Sequence, residues 1–593
     1  MTPKTLNIVG ISAYDLNPAA CLMIDGKLVA FAEEERFNRI KQSENLFPIR
    51  SMKFCLDRAG LSLKDVDHLA VGWDYNLYRF RVPANYLVKY LKNLFNIKHR
   101  INNSQGLLPA SDGIIDLFKK QPSYIIPRTI RILRTQWPTD PIPTMRFLNH
   151  HLCHACCTFF CCGEDQAAIM TYDGSGELHS LTLGVGEGKR IKFFTKITYT
   201  RSLGDFYSAF TEYLGFTPHR NEGKLMGLAA YGKEDPEIEG YIDNILLPST
   251  NGDYRLNQTY ILVGAHSYGR FYTDDLVSLL GPPRGHGEEI TERHQNIAFS
   301  VQQRLEQAAT VLARKTLKLA GSKTLCMAGG VALNCTTNMI LREQAGLENI
   351  FIPPVPHDSG TALGAAMIIA LEHGLDPRFH MDHPYYGPDF SNEAIAAIVN
   401  RLNLPFTRPK NMPDSVARLL ADGKTVGWFS GRMEIGPRAL GARSILAHPG
   451  LKDMKDRLNL KVKGREPWRP FAPSALQEYA GEWLQNIASA PFMTQAFRVS
   501  SDWRERIPAV VHVDGTTRPH LVNKNTAPRY WEMINSFHAL TGIPLVLNTS
   551  FNLRGEPIIC TPVEAIRDFY GSGLDALALE DFLLTKKTAS SLT

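Results

Sequence analysis

The sequence predicts an α/β protein of two domains, the first built by repeating one strand pattern. Three observations carry this. At 593 residues the chain exceeds what one hydrophobic core supports. A three-strand opening, residues 6–12, 20–24 and 28–31 with Asp25-Gly26 as a hairpin turn, recurs as residues 167–172, 179–185 and 190–196. Beyond His383-Pro384-Tyr385-Tyr386-Gly387-Pro388, where turn formers replace periodic pattern, helix and strand alternate to the end. The expected division is therefore 1–383 and 384–593.

Within the first domain, residues 50–59 read as helix and 67–72 as a returning strand. Residues 75–140 interrupt the pattern as an aromatic, basic insertion: Arg79, Arg81, Lys89, Lys92, Lys98, Arg100, Lys119, Lys120, Arg128, Arg131 and Arg134 stand against Asp112 and Asp116. Such a segment reads as helices with a solvated positive face, as a lid over a substrate, or as a patch for an anionic partner. Residues 296–320 repeat Ile297, Val301, Leu305, Ala308 and Leu312 at helical spacing, and 324–328 form a strand running into Gly329-Gly330-Val331-Ala332-Leu333-Asn334. Two halves that each open with a three-strand meander, the second carrying a Gly-rich phosphate turn, predict the duplicated actin-like (ribonuclease-H-like) fold. In that fold a nucleotide lies between the halves.

A hydrophobic fraction of 44% and a charged fraction of 21% are those of a globular protein, and a net charge of +6 does not point to nucleic acid. No apolar run approaches the roughly 18 residues of a membrane-spanning helix. The opening Met1-Thr2-Pro3-Lys4-Thr5 is too quickly polar for a secretory signal, so a cytoplasmic location is expected. Ten cysteines suit a reducing compartment. Cys153, Cys156, Cys157, Cys161 and Cys162 read as small side chains of a buried helix, a cysteine metal cluster being the alternative.

Three constellations carry chemistry. His150 and His154 lie four apart, on one face of a helix if they are helical, and Asp358 sits in a tight loop before a small-residue helix. Two imidazoles and one carboxylate suit iron(II), manganese or zinc with positions open for substrate oxygens. The Gly-rich turns around Asp173, Gly174 and Gly176 and around Gly329, Gly330 and Asn334 let backbone N–H groups approach a phosphate or adenosine. In the second domain Arg432, Arg438 and Arg443 stand among glycines, Lys463, Arg465 and Arg469 among prolines, and Asn548 and Ser550 close a strand. Planar guanidiniums held by rigid backbone form a shaped anion pocket.

The segments Glu33-Glu34-Glu35-Arg36-Phe37, His150-His151-Leu152-Cys153-His154-Ala155, 329–334, 436–446, 465–473 and 548–552 resemble those of the NodU/CmcH-type O-carbamoyltransferases, over essentially the whole length. The resemblance implies an actin-like (ASKHA) first domain similar to the tRNA threonylcarbamoyl-transfer protein and a YrdC-like second domain. There Arg438, Lys463 and Arg469, with Arg443, Asn548 and Ser550, would join carbamoyl phosphate to ATP, accompanied by Mg(II), as carbamoyl adenylate. The adenylate would pass to a site where His150, His154 and Asp358 hold iron(II) and where Asp173, Gly174, Gly176, Gly329, Gly330 and Asn334 seat the nucleotide. A small-molecule hydroxyl would be the acceptor. Family members carry His-Asp in the first hairpin; this chain reads Tyr14-Asp15-Leu16, leaving Asp15 nearest to the general base. A monomer or homodimer binding small molecules, without membrane or nucleic acid, is expected. The competing readings are a fused tRNA threonylcarbamoyl-transferase and a sugar kinase or ATPase on the same actin-like core.

Overall fold

The structure, a computed structural model, describes residues 5–84, 117–249, 252–263 and 270–586. Lys89, Lys92, Lys98, Arg100, Asp112 and Asp116 of the insertion lie outside the described residues. The chain forms two compact units: residues 1–29 with 45–380, and residues 30–44 with 381–593. Residues 30–44, counted with the first domain by sequence, thus group with the second. No helix among the described residues is long and apolar enough to cross a membrane.

The first unit contains the repeated pattern. Strands β1 (Asn7–Ser12), β2 (Ala19–Ile24), β3 (Lys27–Glu33), β4 (His68–Val71) and β5 (Thr144–Phe147) form one sheet in the order β3-β2-β1-β4-β5. Here β1 is antiparallel to β2, while β1, β4 and β5 run parallel. Strands β6 (Gln166–Gly176), β7 (His179–Glu187) and β8 (Arg190–Thr198) are followed by a small hairpin, β9 (Leu246–Ser249) with β10 (Asp253–Leu256), and then by β11 (Thr324–Ala328) and β12 (Asn349–Phe351). The second sheet has the order β12-β11-β6-β7-β8, with the same meander and the same two parallel additions. The duplication expected from sequence is present strand for strand. One detail differs: Asp173 to Gly176, expected as a turn, is the end of β6, where the register with β7 shifts.

The helix Ser359–Glu372, SGTALGAAMIIALE, packs on β1, β2 and β4 and on the helix His150–Phe159. Its small residues permit an approach no branched side chain would allow. A Cβ on Gly364 would fall inside the contact radius of the Cys153 carbonyl oxygen, and one on Gly10 would overlap that of Ala362. All ten cysteines are free and buried, which suits small apolar fillers. The long helix Glu292–Ala320 begins four residues before the start expected at 296, because Thr291 and His294 form a capping box.

The second unit is a seven-stranded sheet. Its strands are β13 (Val426–Phe429), β14 (Arg443–Ala447), β15 (Ala472–Leu476), β18 (His520–Val522), β19 (Leu545–Ser550), β20 (Ala576–Leu579) and β21 (Phe582–Thr585), beside a hairpin of β16 (Phe497–Arg498) and β17 (Thr516–Thr517). The order is β18-β15-β19-β14-β13-β20-β21, around a core that includes Trp428, Trp483, Phe537 and Leu547. Residues 30–44 close one side of it. Glu33 Oε1 accepts from Gly436 N at 2.7 Å, Arg36 Nη2 donates to Gly436 O at 2.7 Å, and Arg39 donates to the carbonyls of Pro557 and Ile558. Phe37 packs on Met433, Ile558 and Cys560. The Glu33–Phe37 motif is therefore a clamp on the Gly436 turn.

Gly364→Ala should destabilise the first unit by about 1–3 kcal/mol, since the obstacle is backbone. Gly240, in the helix Pro236–Asp243 with open space around it, is the control. Gly240→Ala should gain up to about 1 kcal/mol. Thermal unfolding of the two variants, moving in opposite directions, checks both.

Candidate functional site

The helix His150–Phe159 is capped by Asn149, whose side chain accepts from Leu152 N at 3.0 Å. It turns His150 and His154 to the same side, their Nε2 atoms 3.1 Å apart. Asp173 arrives from β6 and Asp358 from the N-cap of the helix Ser359–Glu372. Asp173 Oδ2 lies 3.8 Å from His150 Nε2 and 3.2 Å from His154 Nε2; Asp358 Oδ1 lies 3.8 and 3.7 Å away. One ligand atom from each of the four falls within 4.8 Å of all the others. Metal–ligand bonds of about 2.1 Å place neighbouring ligands about 3.0–3.4 Å apart in octahedral or tetrahedral sites, so the donor atoms sit close to coordinating distance.

The electrostatics fit the same ion. Burial works to raise the Asp173 carboxyl, but His150 and His154 hold it well below the usual range. Burial and then the Asp173 charge push Asp358 well above it. Two carboxylates this close cannot both ionise cheaply without a cation between them. A divalent ion with N2O2 donors removes that conflict. Among the described residues no cysteine joins the set.

Two of the expected nucleotide residues are bonded to Asp173. Gly174 N donates to its Oδ1 at 2.8 Å and Gly330 N to its Oδ2 at 3.0 Å. Gly329, at φ +98°, donates to Pro356 O. Asn334 caps the helix Cys335–Gln344 and exchanges hydrogen bonds with Gln302 at 2.9 and 3.1 Å. Gly176 stands against His150, where a Cβ would overlap the imidazole. Asp173 as a fourth candidate ligand was not read from the sequence, because only the fold brings β6 to the helix.

Asp15 is paired: its Oδ2 lies 3.1 Å from Lys120 Nζ, and its Oδ1 accepts from Leu16 N. Lys120 in turn stands 4.7 Å from the ring centre of Trp73, whose edge meets His150 at 4.9 Å. The helix Pro122–Gln136 adds Thr129, bonded to Tyr14 Oη at 2.9 Å, and Arg128, stacked on the Tyr14 ring. So part of the insertion grips the loop around Asp15, whereas Arg79, Arg81, Lys119, Arg131 and Arg134 are exposed.

In the second unit Lys463 Nζ is buried and donates to Ser550 O at 2.5 Å, Asn552 Oδ1 at 2.7 Å and Asn552 O at 3.1 Å, with Ser550 Oγ 3.2 Å away. Burial holds it well below the usual lysine range, and Arg465, Arg469 and Lys41 push the same way against Asp568. Arg465 is brought down to about 9 by burial and by Arg469. Arg469 is lowered by burial, and Arg518 adds to the repulsion on both. Arg518 was missed in the sequence because it lies some fifty residues from the others. Asn548 Nδ2 donates to Ala439 O and to Ser474 Oγ, pinning the carbonyl next to half-buried Arg438. Arg443 is fully buried over Phe429, its guanidinium donating to the carbonyls of Gly431, Ala442 and Pro388. It holds the loop around Gly431 and does not face solvent.

Residues 7–367 match the family described as carbamoyltransferase N-terminus and residues 417–586 that described as carbamoyltransferase C-terminus. An uncharacterized protein of Synechocystis sp. is 36% identical over 98% of this chain and 97% of its own. Nodulation protein NolNO of Sinorhizobium fredii is 35% identical over 96% of this chain and 79% of its own, and Nodulation protein U of Rhizobium fredii 28% over 91% and 88%. With both matches in order along one polypeptide, the chain belongs to the carbamoyltransferase family and is a carbamoyltransferase.

Proposed function

We propose that this carbamoyltransferase works in two steps on two unlike sites. The second unit, read as YrdC-like, hydrolyses carbamoyl phosphate with one water to carbamate and phosphate; a carbamate oxygen then attacks the α-phosphorus of ATP·Mg(II), giving carbamoyl adenylate and pyrophosphate. The first unit, read as actin-like, then transfers the carbamoyl group to a hydroxyl of a small-molecule acceptor and releases AMP. The observation that carries this reading is the contrast between the two clusters. One is a set of four convergent ligands; the other is a crowd of cations that repel one another and so call for an anion.

In the adenylation step an anionic carbamate must meet an anionic α-phosphate. Lys463, Arg465, Arg469 and Arg518 offset that repulsion from fixed positions, and Arg438 is assigned to the same step by its motif. Ser550 and Asn552 hold Lys463, so its charge does not swing away as phosphate leaves. In the transfer step a divalent ion bound at His150, His154, Asp173 and Asp358, iron(II) in the family, would supply Lewis acidity toward the carbonyl. Gly174, Gly329 and Gly330 shape the backbone beside the nucleotide. Asp15 is the acid nearest to the place of the family histidine, and Lys120 fixes its direction.

Purified protein given ATP and carbamoyl phosphate together should release pyrophosphate, and neither alone should suffice; ADP without pyrophosphate would instead indicate a kinase. Arg469→Ala should lower pyrophosphate release by about 10²–10³-fold while still transferring from supplied carbamoyl adenylate. His154→Ala should do the reverse: it loses bound metal, measured by elemental analysis, and loses transfer, with pyrophosphate release intact.

A further inference from the structure

The β6–β7 turn holds a buried carboxylate that the mechanism has not used. Glu177, 5% exposed, adopts the left-handed region at φ +49° in the turn that follows Gly176. Its Oε1 accepts from His150 N at 3.0 Å and from Asp74 N at 2.8 Å, and its Oε2 accepts from Asn149 Nδ2 at 2.8 Å. One side chain therefore ties three segments together: the turn of the second sheet, the cap and first residue of the ligand-bearing helix, and the loop carrying Trp73.

Each of those segments bears on His150. The turn presents Gly176 to the imidazole, leaving no room for a Cβ. The loop sets the Trp73 indole edge-on to the same ring at 4.9 Å. The helix carries His150 itself. Among the described residues no lysine or arginine pairs with Glu177, so its charge rests on N–H donors and on the positive end of the helix. A buried carboxylate without a lysine or arginine partner is costly, and a divalent ion held by His150 and His154 would offset it.

We propose that Glu177 is a positioning residue of the metal centre, fixing the orientation of His150 and adding a negative charge behind it. Resting on the metal reading given above, it extends that site beyond the four residues whose atoms converge. Groups outside the ligands commonly control affinity by about 10–100-fold.

The test uses full-length protein stripped of metal and titrated anaerobically with iron(II) against a competing chelator, with the thermal midpoint of the metal-free protein measured in parallel. Glu177→Ala should weaken iron(II) binding by about 10–100-fold. Glu177→Gln, which keeps the shape and two acceptor contacts, should weaken it less, and both should still release pyrophosphate from ATP and carbamoyl phosphate. A merely structural role would lower the metal-free midpoint and leave iron(II) affinity at the wild-type value in both variants, which overturns the proposal. If Glu177→Ala does not fold, Glu177→Gln decides alone. Wild-type protein that binds no iron(II), manganese or zinc would instead sink the metal reading on which this rests.

Discussion

The close approach of the helix Ser359–Glu372 to β1 and to the helix His150–Phe159 is the constraint from which the first unit's chemistry follows. Two backbones come together because Gly10 and Gly364 present no side chain. That contact sets where the start of the 359–372 helix lies, and hence where Asp358 meets the two imidazoles. Packing and ligand geometry are here one fact. Dense interiors transmit displacement, so a shift of the helix is also a shift of a donor atom.

The second unit obeys a different rule. Its candidate site is not a convergence of complementary groups but a concentration of like charge kept in place by acceptors. Lys463 is bound by oxygen atoms of Ser550 and Asn552, Arg465 by Asn459 and the Pro470 carbonyl, and the arginines repel one another. Like charges held this way favour an anion among them, and rigid surroundings keep them in place. The prolines at 467, 470 and 473 supply that rigidity.

Much of this was legible in the chain. The meander of both halves, the Asp25-Gly26 hairpin, the long helix and the four-residue spacing of His150 and His154 are local patterns, and local patterns survive in sequence. What depended on long-range contact was not. Asp173 looked like part of a phosphate turn and instead faces the imidazoles, because strand β6 continues through it. Arg443 shared a motif with Arg438, yet the alternation of β14 turns it inward over Phe429. Lys120 was one cation among many until the fold set it against Asp15. The Glu33–Phe37 motif was conspicuous without its role being evident, since its partner is a turn 400 residues away.

That distance bears on how the protein is made. The segment 30–44 is synthesised before most of the first unit, yet the unit it completes follows that unit in the chain. Until Gly436 and Ile558 emerge, Glu33, Arg36 and Arg39 lack their long-range partners, and the nascent chain must carry an ionic strip without closing over it. Ordering this unit is a late event of high contact order. A C-terminal fragment cut at the visible change of composition would be born without its own clasp.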